Sequence, residues 1–206
     1  MIDKVIEHRD IVMVMDGKKI MSTPEPTLPE GFKFRFFSGE EDIAHWCRIE
    51  ASVDEFDTEA DAKKHFMNEF YPHIQEMGNR CSFIVNQDGL PIATATCWFS
   101  DCSIASRLHW VAVCPGYQGL KLGKAISQKA ICTSAKLYPN QPMWLSTQTG
   151  SHRAVLMYHK LGFNMVKSDI NLGERNKYIQ DYHRAIEVLA GVFYPAAMQA
   201  LQASAI

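Results

Sequence analysis

The residues that most constrain this chain are 108–130, which read LHWVAVCPGYQGLKLGKAISQKA. Residues 108–113 have the length and the β-branched content of a short strand, and the Cys-Pro-Gly that follows ends it. After Gly119, apolar residues recur four apart from Leu122 onward, which is the spacing of a helix. A strand, a glycine-containing turn and a helix in succession place unpaired backbone N–H groups at a helix N-terminus, where an anion binds. The sequence therefore predicts a phosphate-binding loop, with Lys121 and Lys124 adding positive charge beside it.

The spacing of the glycines excludes two common kinds of phosphate loop. A dinucleotide loop requires G-x-G-x-x-G, and a nucleoside triphosphate loop requires G-x-x-x-x-G-K followed by Ser or Thr. Gly119 and Gly123 are four apart, and Lys124 is followed by Ala125, so neither pattern is met.

The same residues resemble motif A of the GCN5-related N-acetyltransferase (GNAT) superfamily, in which Gln/Arg-x-x-Gly-x-Gly/Ala follows a strand. Residues 118–123 match this motif at Gln118 and Gly123. They depart from it at Lys121, where the family usually has glycine.

A second stretch, residues 151–163, resembles GNAT motif B, which is usually Asn-x-x-Ala-x-x-x-Tyr-x-x-x-Gly-Phe. The tyrosine matches at Tyr158 and the glycine at Gly162, while Ser151 replaces the usual asparagine. Physically, Ser151 is a candidate helix N-cap and Gly162 a helix stop. The resemblance covers about residues 28–167.

The resemblance implies an α/β (α+β) protein with the GNAT fold, a mixed central sheet of about six to seven strands flanked by helices on both faces. We expect residues 28–168 to form this core. Residues 1–27 are predicted to form an added N-terminal β-hairpin, turning at Asp16-Gly17, followed by a Pro-rich linker. Residues 169–206 are predicted to be a largely helical C-terminal extension that packs on the core or on a partner subunit in a homodimer.

Within the core, the pattern predicts two strands over residues 81–86 and 91–99 joined by an Asp-Gly turn. It also predicts one helix that begins within Ser38–Glu41 and runs to about Ala51, and a second from after Asp57 to about Met77.

Composition limits the class of protein and its partners. The chain has 206 residues, 47% of them hydrophobic, and a formal net charge of -2, which argues against nucleic acid or an anionic membrane as the main partner. Its six cysteines have no C-x-x-C spacing, and no apolar run reaches the roughly 18 residues of a membrane span. We expect a cytoplasmic protein with reduced cysteines, no metal and no secretion signal.

The resemblance implies acetyl-CoA (coenzyme A) as co-substrate, with the loop amides around its diphosphate and the backbone of the preceding strand along its pantetheine arm. The expected cofactor-binding residues are Val111, Ala112, Val113, Gln118, Gly119, Leu120, Lys121, Leu122, Gly123, Lys124 and Ser151.

Acyl transfer to an amine requires a base for the ammonium and an acid for the departing thiolate. By resemblance Tyr158 is the acid, and a phenol with an ordinary pKa of about 10 is protonated at neutral pH. His109 is the first choice as base, because period-two alternation would place it on one strand face with Val111 and Val113. Glu50 or Glu55 acting through water is the rival base. The structural alternatives are a core aromatic for Tyr158 and a half-buried sheet histidine for His109.

The resemblance implies an acceptor site between the first two core helices, where Asp54 and Glu55 could attract an amine cation, and Trp98 could line that site. The alternatives are a capped, solvated helix start for the two acids and sheet core for the tryptophan.

Three functions are compatible with these patterns. The first is an acetyl-CoA-dependent N-acetyltransferase, in which a primary amine of a small molecule or a protein attacks the thioester directly. The second is a non-catalytic GNAT-fold module that binds or senses acyl-CoA. The third is a phosphate-binding protein of unrelated fold.

Overall fold

The computed structural model describes residues 3–100, 102, 104–168 and 179–206. Within these residues, seven strands form a mixed sheet in the order β2-β3-β4-β5-β6-β1-β7. Neighbouring strands are antiparallel in the pairs β2/β3, β3/β4, β1/β6 and β1/β7, whereas β5 and β6 are parallel. The strands are β1 Asp10–Met15, β2 Lys33–Phe36, β3 Cys81–Val85, β4 Pro91–Phe99, β5 Ser106–Val113, β6 Met143–Gln148 and β7 Asn164–Met165.

Eight α-helices accompany the sheet in the part of the chain that the structure describes. They are α1 Gly17–Met21, α2 Glu41–Ala51, α3 Glu59–Glu69, α4 Ile74–Arg80, α5 Leu122–Leu137, α6 His152–Leu161, α7 Tyr182–Ala190 and α8 Pro195–Ala203. The chain divides into two compact units, and β5 contributes residues to both.

The first unit contains Thr23–Trp98 and Leu108–Leu137. Helices α2 and α3 pack against each other there, around the fully buried rings of Trp46, Phe66 and Phe70. The predicted strand pair and the helix from Glu41 to Ala51 are confirmed.

The helix predicted from after Asp57 to about Met77 is divided. α3 ends at Glu69, a 3-10 turn occupies Tyr71–His73, and α4 begins at Ile74. Pro72 explains the interruption, because proline has no backbone N–H to continue the helical hydrogen bonds.

The second unit contains Ile2–Ser22, Phe99–Arg107 and Tyr138–Ile206. Val12 and Val14 of β1 pack there in one apolar cluster with Trp144 of β6. Helices α7 and α8 pack on β1 and β7 respectively, so the C-terminal extension covers strands of its own unit. Residues 169–178 of the predicted extension lie outside the described residues.

The predicted N-terminal hairpin is wrong. Residues 17–21, expected to return as a second strand, form α1, and the Asp16 carboxylate accepts a hydrogen bond from the Lys18 N–H at 2.8 Å as an N-cap. Gly17 serves a close approach, because a Cβ there would lie 2.2 Å from the Asn140 carbonyl oxygen. β1 is therefore a sheet strand between β6 and β7, not half of a separate hairpin.

Candidate active site

The predicted phosphate loop is a turn between β5 and α5 in the first unit. A 3-10 turn at Pro115–Tyr117 follows β5, and α5 begins at Leu122. Between them Gly119 has φ +81° and Lys121 has φ +62°, so both lie in the left-handed region. Lys121 thus adopts the conformation that glycine supplies most easily, and its replacement of the motif glycine leaves a left-handed turn in place.

The backbone amides of this loop are open over six consecutive residues. The first amide bonded back into the helix is that of Ala125, which donates to the Lys121 carbonyl at 3.1 Å. Among the described residues, no hydrogen-bond acceptor receives the N–H groups of residues 119–124. These donors lie at the positive end of a 16-residue helix, with the exposed side chains of Lys121 and Lys124 beside them. Such an arrangement can bind a diphosphate.

Two side chains hold the loop in place. The Gln118 side-chain amide donates to the carbonyl of Val113 at 2.9 Å, which ties the loop to the last residue of β5. Tyr117 accepts a hydrogen bond on its hydroxyl from the Asn86 side chain at 3.1 Å. Gln118 therefore braces the loop through its side chain.

The strand before the loop is distorted at Trp110. This residue has φ +49°, which is unusual for a bulky side chain and interrupts the period-two alternation of β5. The assumption that His109, Val111 and Val113 share one face therefore does not hold across Trp110. His109 is buried, whereas Val111 and Val113 are half-buried and Ala112 is buried.

His109 is hydrogen-bonded to a residue that sequence reasoning missed. Its Nε2 lies 2.7 Å from Oε1 of Glu69, the last residue of α3. The other oxygen of that carboxylate accepts from the Trp110 indole N–H at 2.9 Å and lies 2.6 Å from Nε2 of His65. Burial raises the pKa of Glu69, but the hydrogen bonds from His109 and His65 outweigh it and bring that pKa well below its usual value.

A sequence signal for part of this cluster existed. His65 and Glu69 are four apart on α3 and therefore lie on one helix face. Nothing in the sequence linked that face to His109, which is forty residues further on.

The rival base, Glu50, is fully buried in the same unit. Neither carboxyl oxygen has a hydrogen-bond partner among the described residues. Burial, with a smaller effect from the charge of Glu55, raises the pKa of Glu50 well above its usual value. Burial therefore disfavours the ionised form that a general base requires.

The predicted acceptor residues differ in their surroundings. Asp54 (φ +64°) and Glu55 are exposed in the turn that follows α2. Phe56, the next residue, stacks on Trp110 with ring centroids 5.1 Å apart. Trp98 is buried edge-on against Phe70 at 4.7 Å, which is the surrounding of a core residue.

Motif B lies in the second unit and is described within it. α6 ends as predicted at Gly162, which has φ +113° and whose N–H donates to the carbonyls of Tyr158 and His159. The Tyr158 ring is buried and lies edge-on to Phe163 at 6.1 Å. Ser151 stands at the N-cap position, but its side chain makes no capping hydrogen bond in the described structure, so that part of the prediction is wrong.

No group of three or more His, Cys, Asp or Glu side chains within the described residues is arranged to hold a metal ion. None of the helices that these residues form is long and apolar enough to cross a membrane.

Comparison with known proteins identifies the class to which this fold and loop belong. The sequence model of the acetyltransferase (GNAT) family matches residues 42–163. Because this match covers more than half of the chain, the chain belongs to the GNAT family, and its seven-stranded mixed sheet with flanking helices is the GNAT fold.

Solved structures share the fold at low sequence identity. A GCN5-related N-acetyltransferase from Sphaerobacter thermophilus is 19% identical with a TM-score of 0.60, over 76% of this chain and 48% of that one. A tandem GNAT protein from the clavulanic acid biosynthesis pathway is 12% identical with a TM-score of 0.59, over 79% and 51%. An acetyltransferase from Colwellia psychrerythraea is 13% identical with a TM-score of 0.56, over 77% and 54%. This chain therefore spans about half the length of these proteins, and no curated protein matches it.

Proposed function

We propose that this protein is an acetyl-CoA-dependent N-acetyltransferase that acetylates a primary amine by direct attack on the thioester. The observation that carries the proposal is the run of open amides over residues 119–124 at the start of α5. A diphosphate is the ligand that such a run of donors binds, and coenzyme A carries one. The GNAT family is generally one of acyltransferases, which agrees with this use of the loop.

The loop and β5 would bind the co-substrate with different groups. The amides of residues 119–124 would hold the diphosphate, and Lys121 and Lys124 would add positive charge. The backbone of Val111, Ala112 and Val113 would pair with the amide-containing pantetheine arm. In the described structure β5 pairs with β6 at Ser106 and Arg107. These two residues lie at the opposite end of β5 from Val111, Ala112 and Val113. Ser151, which replaces the motif B asparagine, is proposed as a further contact.

The reaction needs three proton transfers, one assigned to His109 and two to Tyr158. His109 would take a proton from the acceptor ammonium, and the free amine nitrogen would attack the thioester carbonyl carbon. A β5 backbone N–H would donate to the oxyanion of the tetrahedral intermediate. When the carbon–sulfur bond breaks, Tyr158 would give its phenolic proton to the thiolate, which leaves as the free thiol of CoA. The nitrogen would then give its second proton to the tyrosinate, which restores the phenol and leaves the neutral amide.

The acceptor is proposed to be a cation before it reacts. Asp54 and Glu55 would attract its ammonium group, since both acidic side chains are exposed. Trp98 is also proposed as a neighbour of the acceptor, although its contact with Phe70 is that of a core residue.

Turnover with a panel of primary amines tests the proposal. We expect acetyl-CoA to raise the melting temperature, and free thiol to appear with at least one amine. Tyr158→Phe should lower kcat by about 10²- to 10⁴-fold, the usual contribution of a positioned acid, while Tyr194→Phe at an exposed ring should not. Stabilisation by acetyl-CoA without thiol release from any amine would instead favour the sensing module. Absence of both effects would favour an unrelated phosphate-binding role.

A further inference from the structure

The cluster around Glu69 joins two elements of the first unit through one carboxylate. Three N–H donors point at it, from His109 and Trp110 on β5 and from His65 on α3, at 2.6–2.9 Å. The carboxylate is mostly buried, with 25% of its side chain exposed, and the His109 side chain is 9% exposed. A buried carboxylate that accepts three hydrogen bonds fixes the orientation of every donor it meets.

The second observation is the strained backbone beside His109. A tryptophan at φ +49° is unfavourable, and such a conformation persists only where its surroundings impose it. The indole of Trp110 is held at its N–H by Glu69 and at its faces and edges by Phe56, His65 and Trp46, with centroid distances of 4.9–5.6 Å. Glu69 supplies the hydrogen bond in this set of contacts.

These contacts converge on the segment to which the proposed mechanism assigns the base. His109 precedes the distorted residue and Val111 follows it, so the conformation of Trp110 sets the directions of both. We propose that Glu69 is a positioning residue, which holds Trp110 in its left-handed conformation and orients His109 as the base for acyl transfer. This inference rests on the proposed function for its catalytic part only.

The carboxylate also changes the basicity of the imidazole. A negative charge 2.7 Å from a ring nitrogen favours the protonated form of a histidine. Among the described residues, Glu69 of α3 is the titratable group hydrogen-bonded to His109, and His65 reaches the other oxygen of the same carboxylate. The ring neighbours of His109 are Phe70 and Trp110. Replacing Glu69 with glutamine removes the charge and nearly preserves the shape, so the imidazole should lose its proton at a lower pH.

The test combines a titration that needs no turnover with steady-state kinetics. In Glu69→Gln, an NMR pH titration of the His109 ring should show its titration midpoint lowered by about 1 pH unit. The chemical shift of the Trp110 indole N–H should also change. With an active amine, kcat should fall tenfold or more while KM for acetyl-CoA stays within about threefold. Glu69→Asp, which keeps the charge, should retain the His109 midpoint more closely. Glu59→Gln, an exposed position on the same helix, should match the unmodified protein in every readout.

The outcomes separate this inference from the proposed function. An unchanged His109 midpoint and an unmoved Trp110 resonance in folded Glu69→Gln would overturn the positioning role, whether or not the protein is an enzyme. Unaltered kcat in that variant would overturn its catalytic part. If the unmodified protein turns over no amine while both resonances respond, the coupling stands and the acyltransferase proposal fails. Should Glu69→Gln not fold, Trp110→Phe removes one donor and keeps the ring, and its kcat must then fall without a matching rise in KM.

Discussion

Lys121 holds a left-handed backbone conformation one position before α5, where its Cβ is crowded by the backbone. The sequence pattern marked this position only as a departure from the family motif, and the structure shows that the turn forms in spite of it. The reason is physical: a left-handed residue other than glycine costs about 1 kcal/mol, which a folded domain can offset elsewhere. The charge of the lysine side chain is a gain that glycine could not provide.

Lys121→Gly is therefore expected to raise the free energy of unfolding by about 1 kcal/mol while weakening CoA binding, because it relieves the backbone and removes a cation. Lys121→Ala is the matched control, since it removes the same charge and keeps the unfavourable conformation. Urea unfolding and calorimetric titration with CoA measure the two effects. A glycine variant no more stable than the alanine variant would show that this residue is not strained.

Glu50 provides a prediction on pH. Burial raises its folded-state pKa, so the contribution of Glu50 to stability is fully present below the unfolded-state pKa of about 4.3 and is lost as pH rises toward the folded value. Glu50→Gln should remove this contribution. Urea unfolding at a series of pH values from about 4 upward should show the free energy of unfolding of the unmodified protein falling relative to that of the variant, by up to about 1.4 kcal/mol per pH unit between the two pKa values.

Parallel curves for the two proteins would contradict a neutral, buried Glu50. Turnover of the same variant distinguishes the two candidate bases. Its loss, with CoA binding intact, would favour the water relay from Glu50 over His109.

At the scale of elements, β1 is the feature that sequence reasoning placed least well. Asp16-Gly17 between apolar runs is typical of a hairpin turn, but the same pair also suits a helix N-cap followed by a close backbone contact. The choice between the two depends on the antiparallel pairing of β1 with β6 and β7. A local sequence pattern holds no information about that pairing, because both partner strands come much later in the chain. By contrast, β4 and α2 were predictable because their signals are local: apolar runs, turn residues and helical spacing.

Removal of residues 1–22 should consequently prevent stable folding of the second unit. Five of the six residues of β1 are buried, and each such side chain contributes about 1.5–3 kcal/mol, so their sum of about 7.5–15 kcal/mol is as large as the usual margin of about 5–15 kcal/mol. Removing only residues 1–9, which precede the strand, is the comparison. Circular dichroism and urea unfolding report the result, and a cooperative, near-normal transition for the longer deletion would show that β1 is dispensable.

For the whole molecule, motifs A and B identified the fold correctly, because each requires a particular backbone conformation at positions with a short, fixed spacing. The loop amides and Gly162 meet that requirement as expected. The partner of His109 was not predictable, since Glu69 comes from α3 and meets β5 only through tertiary packing. The acceptor is predicted only as an amine cation, because the exposed acidic side chains indicate the charge of the acceptor and do not specify the compound.

The most direct measurement for the whole account is calorimetric titration of the full chain with CoA and, separately, with pantetheine, which lacks the diphosphate and the 3′-phosphoadenosine attached to it. If the amides of residues 119–124 bind a diphosphate, CoA should bind with measurable heat and pantetheine should not at the same concentration. Equal binding of the two, or no uptake of CoA at about millimolar concentration, near the weak end of specific affinities, would contradict it.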